Sequence, residues 1–188
     1  MNVYDFDGTI LHGDSEQYFL HYIFKMFPKA QRLKRKFKKH STLFQKGKIS
    51  AEELYDYIYQ KMLKFIDNLP DFLEQFWDEY ERYIKRWYLE AHKDDDIIIS
   101  ATPRFILEPI VKRLKVSNLI ATTYDLNTNK VVGRLCYKDQ KVIRFKELFD
   151  ENEIDNFYSD SDSDVYMAKI AKNAFKVKEN EITPWSFE

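Results

Sequence analysis

The sequence predicts an α/β fold, a Rossmann-like parallel sheet carrying an inserted α-helical domain. Three observations predict it. After residue 93, short β-branched and aromatic runs alternate with helical patterns, the mark of parallel strands joined by crossover helices. Before them, residues 14–92 form a long helical region rich in Tyr, Phe, Lys and Glu. Several strand runs end in polar residues, and open parallel sheets bind ligands at the carboxyl ends of their strands. The expected organisation is a core of 1–13 plus 93–188 and a helical insertion, a cap, of 14–92.

Composition excludes several classes. With 44% hydrophobic and 16% aromatic residues in 188, the chain can build a core, so global disorder is excluded. The net charge of −1 offers no whole-chain argument for nucleic acid or membrane. The single cysteine, Cys136, rules out an internal disulfide and a cysteine-rich metal site. No apolar stretch reaches membrane-spanning length and no leader precedes the first strand, so a cytoplasmic location is expected.

Taken in order, the first strand lies in "MNVYDFDGTI". The insertion follows. In "FLEQFWDEYERYIKRWYL" (72–89), aromatic and aliphatic residues recur at spacings of three and four, one wide apolar stripe on a helix. Leu54, Ile58, Met62 and Phe65 repeat the pattern, and Ser50 with Glu53 forms a capping box ahead of it. Such stripes are read as helix-bundle core. In the second half, "IIIS" (97–100) is a strand and "RFILEPIVKRLK" (104–115) a helix, with Pro109 inside it. "NLIATTYD" is a strand, "NTNKVVGRL" a turn into a short strand, and "QKVIRFKELF" a helix. "NFYSD" is a strand, "DVYMAKIAKNA" a helix and "FKVK" a last strand. The four glycines fall at turns in this scheme.

The chemistry gathers at strand ends. Asp5 and Asp7 sit one residue apart, so on a strand they point the same way. Two like charges aimed at one place call for a cation or a shared proton. Ser100 ends a second strand, and Ala101, Thr102 and Pro103 follow at a helix start, where free backbone N–H groups suit an anion. Lys141 opens a helix, and Asp160 and Asp164 stand four apart across a strand-to-helix junction. Carboxylates, a lysine, a hydroxyl and a helix start together make a site for Mg²⁺ and phosphate, since hard oxygen ligands shared with a substrate phosphate suit Mg²⁺.

At this point the chain resembles the haloacid dehalogenase superfamily, in its phosphoserine-phosphatase-like branch with a helical cap after the first motif. "DFDGT" matches the first motif, the Ser of "IIISATP" the second, Lys141 in "CYKDQKVIRF" the third and "YSDSDSD" the acidic fourth. A single such motif is weak; four in order at the expected boundaries are specific. The resemblance implies a Mg²⁺-dependent phosphatase acting on a small phosphorylated metabolite. Asp5 would be the nucleophile that forms an aspartyl-phosphate, and Asp7 the acid and then base. Asp5, the backbone carbonyl of Asp7, and Asp160 would hold Mg²⁺. Ser100 and Lys141, with Gly8, Thr9 and Ala101, would surround the phosphoryl oxygens. Asp164 would position Lys141, for which Lys138 is the neighbouring alternative. Asp14 falls where the branch carries a substrate-binding glutamate, and Ser159 where glycine is common. Phosphoryl transfer to a sugar or alcohol, by a phosphotransferase or phosphomutase, remains an alternative on the same core.

The stretch 29–48 carries nine Lys or Arg and no acid. The expected role is a solvated helix face balanced by the acidic "DNLPDFLEQFWDEYE". The alternative from another class is a module that binds nucleic acid or another polyanion; nucleic acid is not the expected partner.

Overall fold

The computed structural model describes residues 1–187. Among them, strands β1 (Asn2–Tyr4), β2 (Ile97–Pro103) and β3 (Asn118–Thr122) are followed by a small hairpin, β4 (Tyr124–Asp125) and β5 (Lys130–Val131). Then come β6 (Asn156–Ser159), β7 (Asn173–Lys178) and β8 (Glu181–Pro184). The main sheet has the order β3-β2-β1-β6-β7-β8. It is parallel from β3 to β7, and β8 closes the edge antiparallel to β7. Crossing between the two halves of the order happens at β1, so the carboxyl ends of β1, β2 and β6 meet there.

Side chains alternate across a strand, and here the alternation sorts residues into two cores. Val3, Ile97, Ile99, Ile120 and Phe157 pack on one face with Phe145, Met167 and Trp185. Tyr4, Ile98, Leu119 and Ala121 pack on the other. The first face is covered by α7 (Asp139–Lys146) and α8 (Val165–Ile170) near the end of the chain. The second is covered by the helical segment α1 (Ser15–Met26), α2 (Lys34–Gln45), α3 (Ala51–Met62), α4 (Leu69–Tyr80) and α5 (Arg86–Ala91), together with α6 (Arg104–Arg113). A sheet buried on both faces needs near-continuous apolar strands, which "IIIS" and "NLIAT" provide.

Local signals set the helix starts. Asp14 caps α1, accepting from Gln17 N at 2.8 Å. Ser50 and Glu53 form the reciprocal capping box of α3, with bonds of 3.0 and 2.7 Å. The aromatic stripe of α4 is buried against α1: Phe72, Phe76 and Tyr80 meet Phe19 and Tyr22. Trp77 reaches further, donating its indole N–H to the Ile106 carbonyl of α6 at 2.7 Å. One apolar cluster therefore runs from the insertion into the sheet. We keep the division at 14 and 92 as a proposal, one in which the insertion is joined to the core by a shared apolar layer.

Three elements differ from the expectations. The single helix over 72–89 is two, because residues 83–85 leave the helix to pair with the loop after β1. Leu11 bridges Ile84, His12 N donates to Tyr83 O at 2.8 Å, and Lys85 N to Ile10 O at 2.8 Å. Tertiary pairing overrides the helical pattern there. The strand expected at 97–100 continues to Pro103 with a register shift after Ser100, so α6 starts at Arg104. A turn at Glu179, with φ of 53°, lets the chain fold back as β8. No helix among the described residues is long and apolar enough to cross a membrane.

Candidate active site

Asp5 leaves β1 with its backbone N–H bonded to Tyr158 O at 2.9 Å, which fixes it beside the end of β6. Its carboxylate is buried, 7% exposed. Lys141, 3% exposed, comes from α7 and donates to Asp5 Oδ1 at 2.6 Å and to Asp164 Oδ2 at 2.7 Å. Ser159 Oγ also donates to Asp164 Oδ2, at 2.8 Å. Asp164 thus holds the lysine from behind while Asp5 faces it from the front. Burial pushes Asp5 up to about 8, against the pull of the Lys141 ammonium, and Asp164 adds to the rise. Burial alone would lower Lys141, but its two carboxylates hold it above the ordinary lysine value. Lys138 is elsewhere, its ammonium 5.3 Å from the Tyr137 ring centre.

Asp7 shares the direction of Asp5 but not its partners. Its Oδ1 accepts from Ser15 N at 2.6 Å and its Oδ2 from Thr102 Oγ1 at 2.7 Å. Ser15 is the first residue of α1, where backbone N–H groups lack helical partners. Burial raises Asp7 to about 6, Asp14 adds to this, and the Ser15 and Thr102 bonds restrain it. A carboxyl group near 6 can give and take a proton around neutrality. Ser100, buried at the bend of β2, accepts from Thr102 N at 3.1 Å, and Ala101 lies beside it on the cavity wall.

The turn after Asp7 is shaped around Asp160. Gly8 has φ of 73°, and a Cβ there would overlap the Asp160 carboxylate, so only glycine lets the acidic loop approach. Gly8, expected among the groups around the phosphoryl oxygens, has its N–H already bonded to Gly13 O at 2.8 Å. Thr9 is also occupied: its hydroxyl accepts from Asp160 N at 2.9 Å and lies 3.3 Å from both Asp5 Oδ2 and Asp160 Oδ1. It ties two carboxylates together instead of facing the cavity. Burial raises Asp160.

Sequence reasoning missed four contributors. Ser15 and Thr102 orient Asp7, and the free N–H at a helix start was the available signal for Ser15. Lys85, buried in the segment that interrupts the expected long helix, donates through Nζ to Gly8 O; nothing local to "RYIKRW" marks it. Glu16 faces the cavity with one oxygen accepting from Tyr55 OH and the other from Tyr59 OH. Burial pushes it up to about 8. Asp14, two residues earlier, spends its carboxylate on capping α1 yet still lines the cavity. Asp14, Glu16 and Thr102 line, with Asp5, Asp7, Ser100, Lys141 and Asp160, a cavity of about 400 Å³ between the strand ends and the insertion.

Residues 3–169 match the haloacid dehalogenase-like hydrolase family. The chain belongs to that family. It is 21% identical over 196 residues to a histidinol-phosphatase of Neisseria meningitidis serogroup C (strain 8013), with 93% of this chain and 88% of the relative covered. Its fold is similar to that of a protein of unknown function from Bordetella pertussis Tohama I, at a TM-score of 0.73 and 21% identity, covering 93% and 87% of the two chains. A phosphoserine phosphohydrolase-like protein from Francisella tularensis subsp. tularensis SCHU S4 gives a TM-score of 0.57 at 16% identity, covering 93% and 86%. In this family of hydrolases, the four segments quoted above meet at one cavity of the present chain.

Proposed function

We propose that the protein is a Mg²⁺-dependent phosphatase that removes the phosphoryl group from a small phosphorylated metabolite through an aspartyl-phosphate. The observation that carries this reading is Asp5, a buried carboxylate at a strand end with one oxygen on Lys141 at 2.6 Å and a second carboxylate, Asp7, two residues on. The names of the relatives, histidinol-phosphatase and phosphoserine phosphohydrolase-like protein, support a phosphomonoester substrate.

The donor set fits Mg²⁺. Asp5 and Asp160 are hard oxygen donors held together by Thr9, and no lysine or arginine side chain lies within ion-pair distance of Asp160 among the described residues. The described residues hold no cluster of three or more His, Cys, Asp or Glu side chains suited to a metal. The set proposed for Mg²⁺ is two carboxylates completed by a main-chain oxygen, since the Asp7 side chain is committed to Ser15 and Thr102. Asp5, Asp160 and the Asp7 carbonyl would hold the ion, which offsets the repulsion between a carboxylate nucleophile and a phosphate dianion when bound.

The residues of the chain would then act as follows. Ser100 and Lys141 hold the phosphoryl oxygens and meet the charge that builds on them. An Asp5 oxygen attacks phosphorus, the ester P–O bond breaks, and Asp7 gives its proton to the leaving alkoxide. Asp7 then takes a proton from water as that water attacks the aspartyl-phosphate, returning Asp5 and releasing phosphate. The insertion walls the site from bulk water. The deciding test is phosphate release from para-nitrophenyl phosphate. Asp5→Asn is expected to abolish it, EDTA to stop it, and added Mg²⁺ to restore it; turnover by Asp5→Asn would sink the nucleophile assignment. A panel of small phosphorylated metabolites, with and without a second charged group, identifies the substrate.

A further inference from the structure

The basic stretch 29–48 is not neutralised by the acidic segment that follows it. Its nine Lys and Arg side chains are all exposed, and none of them lies within ion-pair distance of a carboxylate among the described residues. Four of the six acids of 67–81 are used elsewhere: Glu79 pairs with Lys25, and Glu74, Asp78 and Glu81 all converge on Arg113. The expected balance of charge therefore fails for a structural reason. The acidic face of α4 turns to α6, away from α2.

The apolar side of this stretch is spent. Leu33 and Phe37 are buried, Phe37 against Phe24 and Tyr57, and His40 stacks on Tyr57. What α2 shows to solvent is mostly cationic, with Phe44 its one exposed large apolar side chain, too little for the apolar face an interfacial helix inserts into lipid. The stretch also leads to the catalytic cavity. Phe44, in the last turn of α2, lines that cavity, and so does Ala51 at the start of α3. Lys46 and Lys48 sit in the exposed turn between these two wall residues, so they stand at its rim.

Inside the cavity the charge is opposite. Six carboxyl groups line it (Asp5, Asp7, Asp14, Glu16, Asp160 and Asp164) against one ammonium, Lys141, which is already shared by two of them. Burial raises Glu16 and Asp7 toward the neutral form, and the ion of the proposed site would offset part of the remaining charge. The one cation in the lining, Lys141, is buried, so no exposed cation of the wall draws a phosphate ester in from solution. A positive surface beside the mouth supplies the missing attraction and raises the local concentration of anions. We propose that the stretch from Lys34 to Lys48 collects the substrate and holds its outlying part, and that this part is itself anionic. The substrate class is then a small phosphomonoester bearing a second negative group, which stays at the rim among Lys46, Lys48 and the last turns of α2 while the scissile phosphoryl reaches Asp5. This rests on the phosphatase reading and narrows it.

The test uses two probes that differ by one phosphate, fructose 6-phosphate and fructose 1,6-bisphosphate. Their binding to full-length Asp5→Asn protein is measured by calorimetry with Mg²⁺, at low salt and at about 0.3 M salt, where exposed charges are screened beyond a few ångströms. The same is done after adding Arg35→Gln, Lys38→Gln, Lys39→Gln, Lys46→Gln and Lys48→Gln, all on exposed residues, with a melting curve confirming the fold. The bisphosphate is expected to bind about tenfold more tightly at low salt, several weak surface pairs acting together. That advantage is expected to vanish both at high salt and in the neutralised variant. Equal binding of the two probes, or an advantage that survives neutralisation, overturns the proposal. So does salt-steep binding of a short RNA duplex that is lost on neutralisation while the two sugars bind alike, because the surface then serves nucleic acid. If neither sugar phosphate binds and the unsubstituted protein releases no phosphate from para-nitrophenyl phosphate, the phosphatase reading itself has failed.

Discussion

The strand ends and the helical insertion solve different problems with different residues. At the strand ends, buried polar groups are packed against one another: Asp5, Lys141, Asp164 and Ser159 form a linear chain of bonds between 2.6 and 2.8 Å. Burying charge is costly unless each group is paired, so this region tolerates little change. The insertion is held by stacked and edge-on aromatic rings, Phe19, Tyr22, Phe72, Phe76 and Tyr80 among them. Aromatic packing is less directional and accepts substitution more readily. On the proposed reading, reaction chemistry falls to the sheet and the reading of the substrate to the insertion, with Ser15 and Lys85 as the insertion's contacts to the other side.

The strongest way to break that division is to separate activity from stability. Asp5→Asn is expected to lower turnover by at least about 10³-fold, the scale of losing a nucleophile, while its thermal midpoint holds or rises, since a buried charge is removed. Trp77→Ala should do the reverse. It is expected to cost about 3–5 kcal/mol because the ring is fully buried and its N–H bonds Ile106 across the boundary. Because the apolar cluster is continuous, urea unfolding followed by tryptophan fluorescence and by far-ultraviolet circular dichroism should coincide. Two separate transitions would show that the insertion folds by itself.

Lys141→Met tests the region where the two properties cannot be separated. It strands Asp5 and Asp164, each buried, and is expected to cost about 3–5 kcal/mol as an uncompensated buried charge as well as activity. Lys141→Met combined with Asp164→Leu should recover much of the stability and none of the activity. Recovery of turnover would show that the lysine serves only the fold.

How far the sequence carries depends on the range over which each residue acts. The strands, the crossover helices, the capping box at Ser50 and the polar strand ends are written in local pattern and were legible. Asp5 and Asp7 stood out by their spacing, and Lys141 and Asp160 by position at element boundaries, while the roles expected of them came from the family resemblance. Lys85 was not legible, because its segment looks helical until Ile84 pairs with Leu11, seventy-odd residues away in the chain. Thr9 resembled a phosphate ligand and is instead the tie between Asp5 and Asp160. The basic stretch was legible as charge, but whether its charge is balanced depended on where α4 faces, which no local pattern records.

A smaller effect sharpens the boundary between the regions. Thr102 donates to Asp7 at 2.7 Å and so favours the ionised form. Thr102→Val is expected to raise the Asp7 value above about 6 and to lower turnover about tenfold, the worth of one hydrogen bond to a charged group. With Asp7 as the acid, kcat/KM for an alkyl phosphate falls as pH rises through that value, and the falling limb should move to higher pH in the variant. An unmoved limb would mean that another group supplies the proton.

The last prediction reads the insertion's own buried acid through stability. Glu16 is raised by burial from 4.5 to about 8, with the Tyr55 and Tyr59 hydroxyls pulling it partly back. A carboxyl group whose folded value lies above its unfolded value binds its proton more tightly in the fold. Its favourable contribution is therefore complete below about 4.5 and is lost progressively as pH rises to about 8. Asp7 behaves likewise over a lower window, from 3.8 to about 6. The two windows overlap between 4.5 and 6, and above pH 6 Glu16 titrates without Asp7 but together with Asp5, whose folded value also lies near 8. Urea midpoints of the unsubstituted protein should fall between pH 6 and 8, and Glu16→Gln should make that fall shallower, with Asp5 supplying what remains. An unchanged slope above pH 6 would place the titrating charge on Asp5 and the sheet, and would return the one ionisable group credited to the insertion to the other side of the comparison.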